Sequence, residues 1–126
     1  MPAQKSILII DDEAQLRRSL SLILKCNNYK VASAESARDG LQMLEREKYD
    51  LVFLDVKLPD GNGIHLLPSI RQLQPKIPVI ILTAHVEQAA TSEAERLGAC
   101  AYLIKPIDPE EILTLVAKNL GINCGD

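Results

Sequence analysis

Asp11, Asp12, Asp55, Thr83 and Lys105 are the side chains of this 126-residue chain whose type and placement could do chemistry, because each stands at or just beyond the end of a short apolar run. The runs are "SILII" (6–10), "LVFLD" (51–55), "VIILT" (79–83) and "AYLI" (101–104). If these are parallel strands, three carboxylates meet on one rim together with a hydroxyl and an ammonium. Carboxylates crowded together without a cation repel one another, and a bound divalent cation removes that cost. Oxygen donors with no Cys or His cluster beside them suit Mg2+, with Mn2+ as the alternative. Thr83 and Lys105 then offer two donors to a phosphoryl group opposite the metal. Taken singly, each residue has a duller reading. An aspartate after a strand is ordinarily a helix cap, a threonine there is ordinarily a β-branched strand residue, and a lysine is ordinarily a solvated charge. The joint placement at four successive strand ends is what argues for chemistry.

The elements that must position these residues alternate regularly. A further run, "KVASA" (30–34), makes five candidate strands, and the first, third and fourth are nearly continuous apolar segments, the signature of parallel strands covered on both faces. Between them, Leu16, Leu20, Ile23 and Leu24 fall on one helical stripe, and Ala37, Leu41 and Leu44 on another. Ser36 with Asp39 reads as the N-cap of that second helix. Ile64, Leu67 and Ile70 mark a third helix that Pro75 stops, and Ala90, Ala94 and Leu97 a fourth with a thin stripe ended by Gly98. Asp108, Pro109 and Glu111 open a fifth, which buries Ile112, Leu113, Val116 and Leu120 and ends at Gly121. Five βα units with right-handed crossovers predict an α/β fold: a doubly wound, five-stranded parallel sheet of order 2-1-3-4-5, flavodoxin-like, with ligands bound beyond the carboxyl ends of the strands. Residues 1–121 form one domain, and 122–126 read as a tail or the start of a linker.

Composition narrows the function classes. Fourteen Lys plus Arg against 17 Asp plus Glu give a net charge of −3, so no nucleic-acid footprint is expected. No stretch has the length of a signal peptide or a membrane span, which makes the cytoplasm the expected compartment. Cys26, Cys100 and Cys124 form no CxxC pair, and Cys100, in "ACAYLI", reads as a small buried hydrophobe. The first turn lacks a glycine-rich phosphate cradle and aromatics are scarce, which weighs against a flavodoxin-like redox protein or a small phosphatase.

The acidic pair in "ILIIDDE", the segment "LVFLDVKLPDGNG", the strand "VIILTA" and the run "YLIKPID" together resemble the response-regulator receiver family, over Ser6 to about Leu120. The resemblance implies that Asp55 takes a phosphoryl group from a phosphohistidine on a sensor histidine kinase or a histidine phosphotransfer protein. It implies that Asp12, Asp55 and the backbone carbonyl of Lys57 hold Mg2+, with Asp11 acting through water. Thr83 resembles the switch hydroxyl, Lys105 the cation that pairs with the phosphate, and Tyr102 the aromatic that changes rotamer. The Lys105–Pro106 bond is cis in this family. The activity implied is self-catalysed phosphorylation and slow dephosphorylation, which makes the chain a switch rather than a metabolic enzyme.

Lys57 and His85, each two residues beyond a site residue, are expected to shield the acyl phosphate from water, and small Ala84 to leave it room. Pro59-Asp60-Gly61-Asn62-Gly63 is turn chemistry joining strand to helix, with Gly63 permitting close backbone approach. The face made by the fourth helix, fifth strand and fifth helix is expected to shift on phosphorylation and to control an output domain or partner. A homodimer would use the same face. A receiver-like module that binds without being phosphorylated is the competing class, and the intact Asp12, Asp55, Thr83 and Lys105 argue against it.

Overall fold

The computed structural model describes residues 4–84 and 96–121. The main sheet contains β1 (Ser6–Ile10), β2 (Lys30–Ala34), β3 (Leu51–Asp55), β6 (Val79–Thr83) and β7 (Ala101–Ile104). Two-residue strands β4 (Lys57–Leu58) and β5 (Gly61–Asn62) form a separate antiparallel hairpin. All main-sheet pairings are parallel, in the order β2-β1-β3-β6-β7. With the hairpin set aside this is 2-1-3-4-5, and every carboxyl end lies on one rim.

Alternation along each strand divides the core into two layers. Leu8, Ile10, Val52, Leu54, Val79 and Ile81 face one side, with Leu44 of helix α2 (Ala37–Arg46) and Leu67 and Ile70 of helix α3 (Leu67–Leu73). Ile7, Ile9, Leu51, Phe53, Ile80 and Leu82 face the other, with Leu20 and Leu24 of helix α1 (Ala14–Cys26) and Ile112 and Val116 of the C-terminal helix (Pro109–Asn119). The central strands are continuously apolar because each side has a helical layer to bury against.

The helices begin where their local chemistry allows. Ser36 Oγ accepts from the Asp39 N–H at 3.1 Å, and Asp108 Oδ1 accepts from the Glu110 N–H at 3.2 Å ahead of Pro109. The third helix starts as a 3-10 turn (Gly63–Leu66) before α3, with Pro68 in its first turn, where a missing N–H costs nothing. Gly98 and Gly121 have positive φ, fitting helix ends. Ala90 and Ala94 of the expected fourth-helix stripe lie outside the described residues, as do residues 122–126 and His85; Leu97 is half-buried.

Cys100 departs from expectation. The residue is exposed rather than buried, because it precedes β7, an edge strand, instead of lying within it. Its thiol still packs against the sheet, 3.3 Å from the Val79 carbonyl oxygen, and burial of the sulfur pushes its pKa up.

Candidate functional site

The rim positions its residues through strand register. Asp55 ends β3 beside Leu82, and Thr83 ends β6 beside Ile104. One residue beyond the ladders, Asp11 N–H donates to the Ala34 carbonyl at 3.1 Å and Lys105 N–H to the Thr83 carbonyl at 2.7 Å. The backbone is therefore pinned up to the residues that carry the charges. The Lys105–Pro106 peptide is cis.

Ligand oxygens of Asp11, Asp12 and Asp55 all lie within 4.8 Å of one another. Asp11 is wholly buried and Asp55 4% exposed, whereas Asp12 is open to solvent. Lys105 is the counter-charge: its Nζ lies 2.9 Å from Glu13 Oε1, 3.1 Å from Asp11 Oδ2 and 3.4 Å from Asp55 Oδ1. Asp12, Glu13, Asp55, Val56, Lys57, Thr83, Ala84 and Lys105 line a cleft of about 290 Å³. Thr83 is buried, Ala84 is exposed at its mouth, and Tyr102 on β7 is 40% exposed.

This surrounding disfavours negative charge. Burial, and then the field of Asp11, push the Asp55 carboxyl up to about 6, against Lys105 and the Lys57 N–H, which pull it down. Burial likewise raises Asp11, despite the N–H of Glu13 donating to its Oδ1 at 2.8 Å. Asp11 Oδ2 is buried and accepts no well-formed hydrogen bond; its close approach to the Lys105 ammonium is an ion pair only. Burial works against the Lys105 charge, but the bond to Glu13 and the fields of Asp11 and Asp55 outweigh it and hold its pKa above the ordinary lysine value. An under-satisfied buried carboxylate oxygen among three acids is a donor set that fits a hard divalent cation.

Three features escaped the sequence reading. Glu13, which takes the shortest of the lysine's contacts, sits beside the acidic pair, and nothing in its spacing separates it from a residue that opens a helix. Segment 57–63 is more than a connection. Lys57 pairs with Asn62, Gly63 N–H donates to the Val56 carbonyl at 2.7 Å, and Asp60 reaches across to α2. The close backbone approach expected at Gly63 is present: a Cβ there would fall 1.9 Å from the Asp55 carbonyl oxygen, so only glycine fits. Arg71, the third feature, donates from its guanidinium to the Ile77 and Gly98 carbonyls, tying the end of α3 to the segments before β6 and β7.

Comparison with known proteins is consistent with this geometry. A family model described as the response regulator receiver domain matches residues 7–117. The alginate biosynthesis transcriptional regulatory protein AlgB of Pseudomonas aeruginosa is 36% identical over 119 residues, covering 94% of this chain and 26% of that protein. The transcriptional regulatory protein GlrR of Escherichia coli is 39% identical over 106 residues, covering 84% and 24% respectively. The chain thus spans about a quarter of the length of the curated relatives it matches. Among solved structures, a receiver domain protein (CheY-like) from Methanospirillum hungatei superposes with a TM-score of 0.88 at 33% identity, covering 94% of both chains.

Proposed function

The chain belongs to the response regulator receiver family, and from that premise we propose that it is a phosphorylation-dependent switch whose acceptor is Asp55. The observation that carries this reading is the environment of Asp55: a buried carboxylate in an acid cluster, 3.4 Å from the Lys105 ammonium and in one cleft with Thr83. Asp12, Asp55 and the Lys57 backbone carbonyl would hold Mg2+, with Asp11 acting through water. The ion supplies neutralisation of the phosphoryl oxygens. An Asp55 carboxylate oxygen attacks the phosphorus in line with the leaving nitrogen of a phosphohistidine. The new O–P bond forms as the P–N bond breaks, and the electron pair returns to the imidazole. A carboxylate is a modest nucleophile, so the rate comes from positioning and charge stabilisation.

Lys105 then pairs with the phosphoryl group, and the Thr83 hydroxyl moves toward it. Ala84 leaves room for the incoming oxygens, while exposed Lys57 and, outside the described residues, His85 shield the acyl phosphate from water. The phosphoryl donor is a sensor histidine kinase or a histidine phosphotransfer protein. The output passes through the face that carries Tyr102, exposed on β7, to a linked domain, a partner or a second copy, all in the cytoplasm. No described helix is long and apolar enough to cross a membrane.

Intact mass after incubation with acetyl phosphate tests the proposal. A gain of one phosphoryl group that needs Mg2+ and is lost in Asp55→Asn is expected. An equal gain in the variant would move the acceptor elsewhere.

A further inference from the structure

Asp60 stands at the tip of the β4–β5 hairpin, between Leu58 and Gly61, yet its carboxylate belongs to the start of another helix. Oδ1 accepts from the Ala37 N–H at 2.9 Å and Oδ2 from the Arg38 N–H at 3.0 Å. The next two N–H groups of α2 are satisfied locally, Asp39 by Ser36 Oγ at 3.1 Å and Gly40 by the Ser36 carbonyl at 3.0 Å. Gly40 thus makes the first bond of the helical ladder, and the three donors before it, which the ladder cannot reach, are divided between the Ser36 side chain and a residue more than twenty positions downstream. Carboxylate charge also suits the positive end of a helix dipole. Donation by Ala37 and then Arg38 holds the Asp60 carboxyl below the usual aspartate range.

The hairpin beneath Asp60 leads from the acid cleft. Lys57 lies in β4 and lines the cleft, and its backbone helps to hold down the pKa of the Asp55 carboxyl. At its base the hairpin is fixed by Gly63 N–H to the Val56 carbonyl at 2.7 Å, and by Asn62 Oδ1 accepting from the Ile64 N–H at 2.9 Å. Leu58 of the hairpin packs into the core, and at the tip the polar link to the body of the domain, among the described residues, is Asp60. A two-residue ribbon is too short to hold itself in place; buried Leu58 fixes one side of it, and the Asp60 contact limits how far the tip, and with it the Lys57 backbone, wanders.

We infer that Asp60 is a positioning residue of the cleft: it straps the hairpin bearing Lys57 to the first turn of α2, so that cation binding and order at the start of α2 rise together. The inference rests on the reading that Asp12, Asp55 and the Lys57 carbonyl hold the cation. Coupling of this kind is reciprocal: whatever Asp60 adds to cation affinity, the cation returns as protection of the Ala37 and Arg38 amides.

The test titrates Mg2+ alone into the full chain by calorimetry at about 0.15 M salt, where distant charges are screened. It also follows hydrogen exchange at Ala37 and Arg38 with and without the ion. In the native chain Mg2+ slows exchange at both amides. Asp60→Ala should bind Mg2+ roughly three- to tenfold more weakly, on the scale of a lost helix cap, and lose the Mg2+-induced protection. Asp60→Asn carries the same charge as Asp60→Ala but keeps an acceptor, and it should fall between Asp60→Ala and native. Ser36→Ala weakens the same helix start without touching the hairpin or the strap, and should lose clearly less Mg2+ affinity than Asp60→Ala. Native affinity in Asp60→Ala, or an equal loss in Ser36→Ala, overturns the strap while leaving the metal site standing. A native chain that binds no Mg2+ overturns the metal-site reading and the strap with it.

Discussion

Burial, and after it the charge of Asp11, hold the Asp55 carboxyl near 6 instead of its ordinary 3.8, and the sign of that shift sets how stability depends on pH. The folded value lies above the unfolded one. The group therefore contributes stability that is fully present below about pH 3.8 and is lost as the pH rises through about 6. Above that, the metal-free fold holds a buried charge that it would be more stable without. In chelator, Asp55→Asn should be more stable than the native chain at pH 7.5 by on the order of 1–3 kcal/mol, and the difference should vanish near pH 4. Urea denaturation at the two pH values checks this; equal stability at pH 7.5 would mean that Lys105 fully compensates the carboxylate. A proton and a metal ion compete for the same oxygens, so the neutralised state that the mutation imitates is the one a cation provides. Chemistry and instability at this residue have one origin.

At the level of elements, the turn after β3 brings its own constraint. Gly63 N–H reaches back to the Val56 carbonyl, and its Cα packs so closely on the Asp55 carbonyl that a methyl group would overlap the oxygen. Gly63→Ala must push the hairpin off β3. A cost of at least about 2 kcal/mol is expected in urea denaturation, because the atom to be displaced is backbone and cannot rotate away. An unchanged midpoint would mean that the hairpin moves freely. The five main strands were legible to the residue; in four of them an apolar run closed by Asp, Thr or a Lys-Pro pair leaves little choice of boundary, while β2, "KVASA", is of mixed polarity and carries no such mark. The buried faces of α1, α2 and the C-terminal helix were legible from their periodicity. The β4–β5 hairpin was not, because two-residue strands carry no periodicity and Pro, Asp, Gly and Asn suit any turn. Asp60 was illegible for a related reason: a cap supplied from more than twenty residues away leaves no local pattern. The convergence of Asp11, Asp12, Asp55, Thr83 and Lys105 could be foreseen once the strands were taken as parallel, but not the role of Glu13 as the lysine's nearest partner.

Across the whole molecule, two apolar layers hold a sheet whose rim collects charge that the fold does not neutralise by itself. Asp11 and Asp55 are buried, and Lys105, with its side chain only 15% exposed, is the cation that spans them. Removing one partner from such a set costs more than the pairing was worth, because the carboxylates remain where they are. Lys105→Met should therefore destabilise the metal-free protein at pH 7.5 by about 2–4 kcal/mol, less than for a fully buried pair because Asp12 and Glu13 stay in contact with water. Mg2+ should act in the opposite direction. At a hundredfold excess over its dissociation constant, an ion that binds only the folded state adds about 2.7 kcal/mol. For a domain of this size that raises the melting midpoint on the order of 10 °C. The lysine competes with the metal for Asp11 and Asp55, so the variant should bind Mg2+ more tightly and gain more from it than the native chain does. Thermal melts of both proteins, with chelator and with Mg2+, separate the two effects. A variant that melts as the native chain does in chelator, and gains no more from the ion, would show that the rim charges are already screened by solvent and that Lys105 is not the cation balancing the cluster.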